Sequence, residues 1–185
     1  IGELGIDIVI PLFDAATVHL ARVPFFGLSA SRVVSSREAC EQSLDKYLTR
    51  RFVRGLVAMP AHYEIQDLVS VLRFEGPFVV KPARGCGSRG FKIIEHFGER
   101  ELVEIDGALR RKEVIVEEFI AGTEFTVAAY VARTGDVLGA FSRIRDHVID
   151  GEVNRSIAYR HSLVLRAARS ILESHADAWA GPITM

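Results

Sequence analysis

The chain has 185 residues, of which 49% are apolar, and its formal net charge at pH 7 is −1. This near-neutral balance gives no electrostatic footprint for nucleic acid or for an anionic membrane surface. No apolar run approaches the roughly 20 residues that a membrane-spanning helix needs. The two cysteines, Cys40 and Cys86, lack metal-ligand spacing, and we expect reduced thiols in a cytoplasmic protein.

Periodicity in the first part of the chain predicts one strand and a series of helices. In chain order these are a buried strand at Ile6–Ile10, a helix from Asp14 to about Arg22, a helix from a capping box at Ser35–Glu38 to about Arg54, and a helix at residues 64–73. A break near Asp45 is expected because Asp-Lys can cap a second helix. Gly55 suits the position just after the helix end.

The rest of the chain mixes short strands with two helices. In chain order we predict strands at Phe78–Val80 and Phe91–Glu95, a weak helix at Glu99–Arg111, a strand at Val114–Glu117, and hairpin strands at Glu124–Ala132 and Val137–His147. A final amphipathic helix has one apolar face made by Leu163, Val164, Ala167, Ala168, Ile171, Leu172 and His175. Strands at both ends of helices, with consecutive hairpins, indicate an α+β fold with mixed sheets.

A glycine-rich loop follows a buried strand directly. Lys81 and Pro82 end the strand, and Gly85-x-Gly87-x-x-Gly90 comes next. Glycines allow backbone N–H groups to approach an anion, and a lysine at the loop edge supplies positive charge. A dinucleotide fingerprint needs a helix after its third glycine, and a Walker A loop needs Lys and Ser/Thr there. The following Phe91–Glu95 segment instead reads as a strand, so the loop alone fits either a phosphate-covering flap or an ordinary hairpin turn.

A second motif, Glu117-Glu118-Phe119-Ile120-x-Gly122-x-Glu124, ends a hydrophobic strand. With the flap motif, it resembles the ATP-grasp superfamily, and within it the carboxylate ligases similar to the carbamoyl-phosphate synthetase large subunit. Asp45-Lys46 is similar to the pair that opens the linker helix of that family, and Gly181–Met185 to the strand leading to its metal site. The resemblance implies two α+β lobes with a glycine-rich phosphate flap, preceded by the end of an α/β pre-ATP-grasp domain.

The resemblance also divides the chain. It implies the end of the pre-ATP-grasp domain at residues 1–35, linker helices at 36–59, a small lobe with the flap at 60–112, and a large lobe at 113–185 that stops before the metal-binding segment. The magnesium ligands are therefore expected beyond Met185, and none is assigned within the chain. On this interpretation the chain is a fragment that binds ATP at most.

The resemblance assigns nucleotide contacts to ten residues. They are Lys46, Lys81, Cys86, Gly87 and Ser88 for the phosphates, the hinge residues Glu117, Glu118, Phe119 and Ile120 for adenine, and Glu124 for the ribose hydroxyls. Within the hinge, the backbone of Glu118–Ile120 would read the base. Each has an ordinary alternative: Lys81 as a lysine snorkelling from a strand end, Lys46 as half of a solvated helix pair, and Glu118 as a surface or salt-bridged carboxylate.

Two arginines complete the expected site. Arg143 and Arg145 lie two apart on a predicted strand, so both face the same side. Guanidinium groups grip phosphate or carboxylate bidentately, and the resemblance implies catalytic roles in holding an acyl phosphate or the γ-phosphate. An exposed basic edge strand that resists aggregation explains the same pattern equally well.

The resemblance implies an ATP-dependent carbon–nitrogen ligase that uses ATP and Mg²⁺. Its partners would be a small-molecule carboxylate or bicarbonate and an amine or ammonia, and the resemblance allows a homodimer. We expect no nucleic-acid or membrane partner. Two alternatives stay open: a biotin-carboxylase-like enzyme, and a non-catalytic nucleotide-binding module.

Overall fold

The computed structural model describes residues 4–24, 31–64, 77–85, 87–149 and 151–185. The helices of this part are α1 (Asp14–Arg22), α2 (Arg37–Leu44), α3 (Lys46–Phe52), α4 (Glu99–Arg110) and α5 (Ser162–Ser174). The strands are β1 (Ile8–Val9), β2 (Ser31–Arg32), β3 (His62–Tyr63), β4 (Phe78–Pro82), β5 (Lys92–Ile94), β6 (Val114–Glu118), β7 (Phe125–Val131), β8 (Val137–Ile149), β9 (Glu152–Ala158) and β10 (Gly181–Thr184).

The N-terminal strands β1 and β2 pair in parallel, with α1 between them in the sequence. A parallel pair joined through a helix is the unit of α/β domains; the division of the chain into domains stays a prediction. Strand β1 covers two residues, fewer than the predicted Ile6–Ile10.

The start of α2 differs from the predicted capping box. Ser36 is the capping residue, and its Oγ accepts a hydrogen bond from the Ala39 N–H at 3.1 Å. The Ser35 hydroxyl instead donates to the Ala180 carbonyl and accepts from the Ala180 N–H, both at 3.2 Å. The predicted box at Ser35–Glu38 is therefore wrong, because a long-range contact to the C-terminal part of the chain occupies Ser35.

The predicted break at Asp45 is confirmed. Its carboxylate caps α3 by accepting from the Tyr47 N–H at 2.9 Å and the Leu48 N–H at 3.3 Å. Helix α3 ends at Phe52, two residues before the predicted Arg54. The helix predicted at residues 64–73 lies almost wholly outside the described residues.

The first four-stranded sheet has the order β3-β6-β4-β5, with every neighbouring pair antiparallel. One of its faces packs on α4 through a core of Phe78, Val80, Ile105, Leu109 and Val116. Since side chains alternate along a strand, Lys81 on β4 and Glu117 on β6 both point to the opposite face. This sheet therefore has one apolar face and one face that carries charge.

The second sheet has the order β10-β7-β8-β9 and is also antiparallel throughout. Helix α5 covers one face, with a core of Ala39, Ala129, Val131, Leu172 and Trp179. The predicted β7–β8 hairpin and the amphipathic α5 are confirmed, although Leu163 of its expected apolar face is 62% exposed. Strand β9 was not predicted. No helix within the described ranges is long and apolar enough to cross a membrane.

Candidate functional site

A buried carboxylate lies on the charged face of the first sheet between two cations. Glu117 Oε1 is 2.9 Å from Arg50 Nη1, and Glu117 Oε2 is 2.5 Å from Lys81 Nζ. The Glu117 side chain is 6% exposed, against 20% for Arg50 and 30% for Lys81. A carboxylate removed from water in this way stays charged only when it is paired, so the three groups form one electrostatic unit.

Strand register and helix placement bring these groups together. Lys81 lies opposite Ile115 on β6, so Glu117, two residues further on, is its diagonal neighbour on the same face. Helix α3 carries Arg50, and the Tyr47 hydroxyl fixes that helix to the sheet by donating to the Val114 carbonyl at 2.8 Å.

The glycine-rich segment is a loop between two antiparallel strands, as predicted for a flap. Strand β4 leads into it and β5 follows, so the segment directly after Gly90 is a strand and not a helix. Gly87, Ser88 and Gly90 have φ values of 66°, 52° and 74°, in the left-handed region that favours glycine. A Cβ on Gly90 would lie 2.9 Å from Pro82 Cγ, so the loop also needs glycine there for close packing. Cys86 lies outside the described residues.

Both predicted phosphate lysines border the flap. Lys46 Nζ donates to the Gly85 carbonyl at 3.2 Å, and the Lys46 N–H donates to the Ala83 carbonyl at 2.9 Å. A cavity of about 170 Å³ lies beneath, lined by Lys46, Lys81, Pro82, Gly85, Ser88, Arg89 and Phe91. Among the described residues, the lining has three cationic side chains and no carboxylate, which makes this cavity suited to an anion.

The cap of α3 is tied to the same loop. Arg84 Nε lies 2.9 Å from Asp45 Oδ2, beside the N–H groups that the carboxylate caps. Burial by itself raises the pKa of Asp45, but the Arg84 guanidinium and the Leu48 and Tyr47 N–H groups outweigh it and lower that pKa below its ordinary value. Asp45 is therefore a carboxylate at neutral pH and links the start of α3 to Arg84, which directly precedes Gly85 of the flap.

The predicted adenine hinge lies at the end of β6. The Glu118 N–H donates to the Ala61 carbonyl at 3.0 Å, and the Phe119 N–H donates to the Pro77 carbonyl at 3.2 Å. The Glu118 carboxylate accepts from the Ala61 N–H at 3.0 Å, so this side chain serves the sheet edge. Within the part of the chain that the structure describes, no acceptor for the Ile120 N–H is found.

Glu124 and Arg145 meet in the second sheet. Glu124 Oε1 lies 3.0 Å from Arg145 Nε, close enough for an ion pair although the angle is poor for a hydrogen bond. Arg145 Nη2 also donates to the Gly151 carbonyl at 2.9 Å. Arg143 faces the same side of β8, and its Nε is buried without a hydrogen-bond partner among the described residues. Such an orphaned donor is costly and suits an arginine that binds an anion.

Two residues beside the buried carboxylate, Arg50 and His62, were not predicted from the sequence. Arg50 lies four residues after Lys46 on α3, and helical spacing places both on one side of the helix, so it could have been found. His62 lies opposite Glu117 in the β3–β6 register. Burial lowers the pKa of His62, and the Arg50 charge lowers it further against the opposing carboxylates.

The family comparison decides the fold family. The ATP-grasp domain profile matches residues 43–174. The chain belongs to the ATP-grasp family. This match includes both predicted lysines, the flap, the hinge and the two arginines, so the residues described above lie within the family's own domain. The α+β architecture with two antiparallel sheets is thus the ATP-grasp fold, as the sequence predicted.

Among curated relatives, a D-alanine–D-alanine ligase of Helicobacter pylori (strain P12) is 31% identical over 129 residues, which is 65% of this chain and 35% of that ligase. The chain spans about a third of the length of the curated relatives it matches.

Two solved structures show the same fold at lower identity. The biotin carboxylase domain of Hydrogenobacter thermophilus 2-oxoglutarate carboxylase has a TM-score of 0.76 at 15% identity, covering 99% of this chain and 45% of that chain. N5-carboxyaminoimidazole ribonucleotide synthetase of Thermus thermophilus has a TM-score of 0.67 at 22% identity, covering 98% of this chain and 50% of that chain.

Metal ligands are a separate question. No group of three or more His, Cys, Asp or Glu side chains that could hold a metal ion occurs in the described part of this ATP-grasp chain. The described residues therefore offer no cluster that fits a magnesium site.

Proposed function

We propose that the protein belongs to an ATP-dependent ligase that activates a carboxylate or bicarbonate as an acyl or carboxy phosphate for attack by an amine or ammonia. The observation that carries this proposal is the arrangement of Lys46, Lys81 and the flap around one cavity. The names of the curated relatives, D-alanine–D-alanine ligases, support the same reaction class.

In this proposal the nucleotide lies between the two sheets. Lys81 and Lys46 contact phosphate oxygens, while the Ser88 hydroxyl and backbone N–H groups of the flap cover the phosphates. The Ile120 N–H and a hinge carbonyl bind the adenine edge, since the Glu118 and Phe119 N–H groups already serve the sheet. Glu124 accepts from the ribose hydroxyls.

The chemistry needs charge stabilisation more than acid–base groups. A carboxylate oxygen attacks the γ-phosphorus of ATP, the bond to the β–γ bridging oxygen breaks, and ADP leaves. The amine nitrogen then attacks the acyl carbon, loses a proton, and expels phosphate. Arg143 and Arg145 point from one face of β8 and would hold the transferred phosphoryl group in both steps.

The identity of the carboxylate and of the amine is the finer part of the proposal. A carbamoyl-phosphate-synthetase-like enzyme would activate bicarbonate for ammonia, whereas a ligase like the curated relatives would activate an amino-acid carboxylate for an amino-acid amine. A biotin-carboxylase-like enzyme would also start from bicarbonate, and the likeness to such a domain supports the shared fold alone.

Acyl-phosphate trapping tests the reaction class. The protein would be incubated with magnesium, ATP and hydroxylamine, with bicarbonate, D-alanine or another small carboxylate added in turn. An acyl phosphate reacts with hydroxylamine to a coloured hydroxamate, and carboxy phosphate is detected as bicarbonate-dependent ADP formation. ADP release that depends on one of the carboxylates supports the ligase. ATP binding without such dependence favours the nucleotide-binding module, and no ATP binding contradicts both. Light scattering on the same sample tests the expected homodimer.

A further inference from the structure

Glu117 is shared by two cations that come from different elements. Lys81 comes from β4 and borders the flap cavity, whereas Arg50 comes from α3 and does not line that cavity. Arg50 uses both of its terminal nitrogens within the protein: Nη1 meets Glu117 at 2.9 Å, and Nη2 donates to the Pro60 carbonyl at 3.0 Å. Arg50 is therefore committed to protein acceptors.

The charge count of this unit matters for anion binding. Two cations and one carboxylate give a net charge of +1, and the most exposed of the three is Lys81. Without the Arg50 charge, Glu117 and Lys81 would form a pair with no net charge in a buried environment, where charges interact strongly. The ammonium would then be held by its own carboxylate and would offer less to a phosphate.

We propose that Arg50 is a positioning residue that compensates the Glu117 carboxylate and so leaves Lys81 able to bind the nucleotide phosphates. This inference rests on the proposed function, because it requires the flap cavity to be a phosphate site. Arg50 does not contact the nucleotide in this proposal; it acts through Glu117.

Charge-matched variants separate this role from a merely structural one. Arg50→Gln lowers the net charge of the unit to zero, and the double variant Arg50→Gln/Glu117→Gln restores it to +1. Arg50→Lys keeps the charge with a different hydrogen-bonding group. Arg51→Gln removes an exposed cation from the next position of the same helix and is the matched control.

Titration calorimetry with ATP, and NMR titration with adenosine, would be carried out on the protein and on each variant. Arg50→Gln should weaken ATP binding by roughly ten- to a hundredfold, the range expected for losing a charge-assisted contact. Adenosine binding should stay within about twofold, because adenosine carries no phosphate for Lys81 to bind. ATP affinity should recover most of its value in Arg50→Lys and in the double variant, and Arg51→Gln should resemble the unmodified protein.

The outcomes separate this inference from the proposed function. An unmodified protein that binds neither ATP nor adenosine overturns the proposed function and this inference with it. Unchanged ATP affinity in Arg50→Gln overturns this inference alone. So does an Arg50→Gln variant that loses ATP binding and adenosine binding to the same extent. If Arg50→Gln does not fold, shown by circular dichroism, the double variant and Arg50→Lys decide: both must keep ATP affinity, and a loss in either contradicts the charge compensation.

Discussion

The two lysines at the flap have different surroundings. Lys81 emerges from a buried strand and pairs with a buried carboxylate at 2.5 Å, while Lys46 donates to a backbone carbonyl of the loop at 3.2 Å. A charged group in a partly buried setting interacts more strongly with a phosphate than a more solvated one. We therefore expect Lys81 to contribute more than Lys46 to the free energy of ATP binding.

Lys81→Ala should weaken ATP binding by about 1.5–3 kcal/mol, the value of a hydrogen bond to a charged group. Lys46→Ala should cost about 0–1 kcal/mol, as for an exposed pair. Titration calorimetry measures both, and Arg100→Ala on α4, whose side chain is 94% exposed, is the control for loss of a cation. Equal losses in the two lysine variants would contradict the ranking.

His62 makes stability depend on pH. Its pKa is lowered from 6.5 in the folded protein by burial first and by the Arg50 charge second. The unfolded chain therefore binds the proton more readily, and the stabilisation from neutral His62 is complete above the unfolded pKa and is lost as pH falls below it toward the folded pKa.

We predict that the free energy of unfolding falls from pH 7.5 to about pH 5.5, and that His62→Gln flattens part of this fall. Urea unfolding at several pH values measures it. Any slope from other groups persists in the variant, so the difference between the two curves isolates His62. Identical curves would show that His62 is not held neutral by its surroundings.

At the scale of elements, the sequence predicted a feature correctly where the residues that form it are neighbours in the chain. Asp45 caps α3 with its own carboxylate, and the flap is bounded by a proline and strand-forming residues, so both were predictable. The Ser35 contact with Ala180 joins residues 145 apart in the sequence, which no local pattern records. Strand β9 was missed for a related reason: its residues are mostly exposed, so it lacks the apolar alternation that marks a half-buried strand.

The candidate site was likewise predicted only in part from the sequence. Backbone motifs pointed to Lys81, the flap and the hinge, and the structure brings the lysines and flap together. The Glu117 pairing with Arg50 depends on how α3 packs on the first sheet, which periodicity could not give. The Glu124 pairing with Arg145 depends on the register of the β7–β8 hairpin, in which Phe125 lies opposite Ile144. Direct assignment of the adenine, ribose and phosphate contacts stays a prediction.

The flap touches the turn between β8 and β9. Gly151 has φ of 80°, and a Cβ there would lie 2.5 Å from Ser88 Oγ and 2.6 Å from Ser88 N, and would also overlap Gly87. The hairpin of the second sheet therefore supports the loop of the first. Since the flap glycines have few apolar anchors, we expect the flap to move readily when no nucleotide is bound.

Gly151→Ala should displace the flap and destabilise the protein by more than about 1 kcal/mol, because alanine is strained at positive φ and has no room there. Hydrogen exchange of residues 87–90 should become faster, and urea unfolding reports the energy. Gly139→Ala, on β8 with nothing within 4 Å of the added Cβ, is the matched control and should be close to neutral. Unchanged flap exchange in Gly151→Ala would mean that this contact does not restrain the loop.

Across the whole molecule, α3 joins the two sheets. It is fixed to the first sheet by the Tyr47 bond to Val114 and by the Arg50 bond to Glu117. At its last residue, the Phe52 ring stacks on His175 at 3.8 Å between ring centroids and meets the Trp179 ring edge-on at 5.5 Å, in the core of the second sheet. The helix that carries Lys46 and Arg50 is thus held from both sides.

Phe52→Ala should therefore affect stability and nucleotide binding together. Removal of this half-buried ring should cost about 2 kcal/mol, less than the roughly 3–5 kcal/mol of a fully buried phenylalanine. Fluorescence of Trp179, the single tryptophan of the chain, should shift to longer wavelength as water reaches it, and ATP affinity should fall because α3 loses its anchor on the second sheet. Leu48→Ala on the same helix, where the side chain is 39% exposed, is the control and should change neither signal. A shifted fluorescence with unchanged ATP affinity would mean that the Tyr47 and Arg50 contacts to the first sheet are enough to place α3.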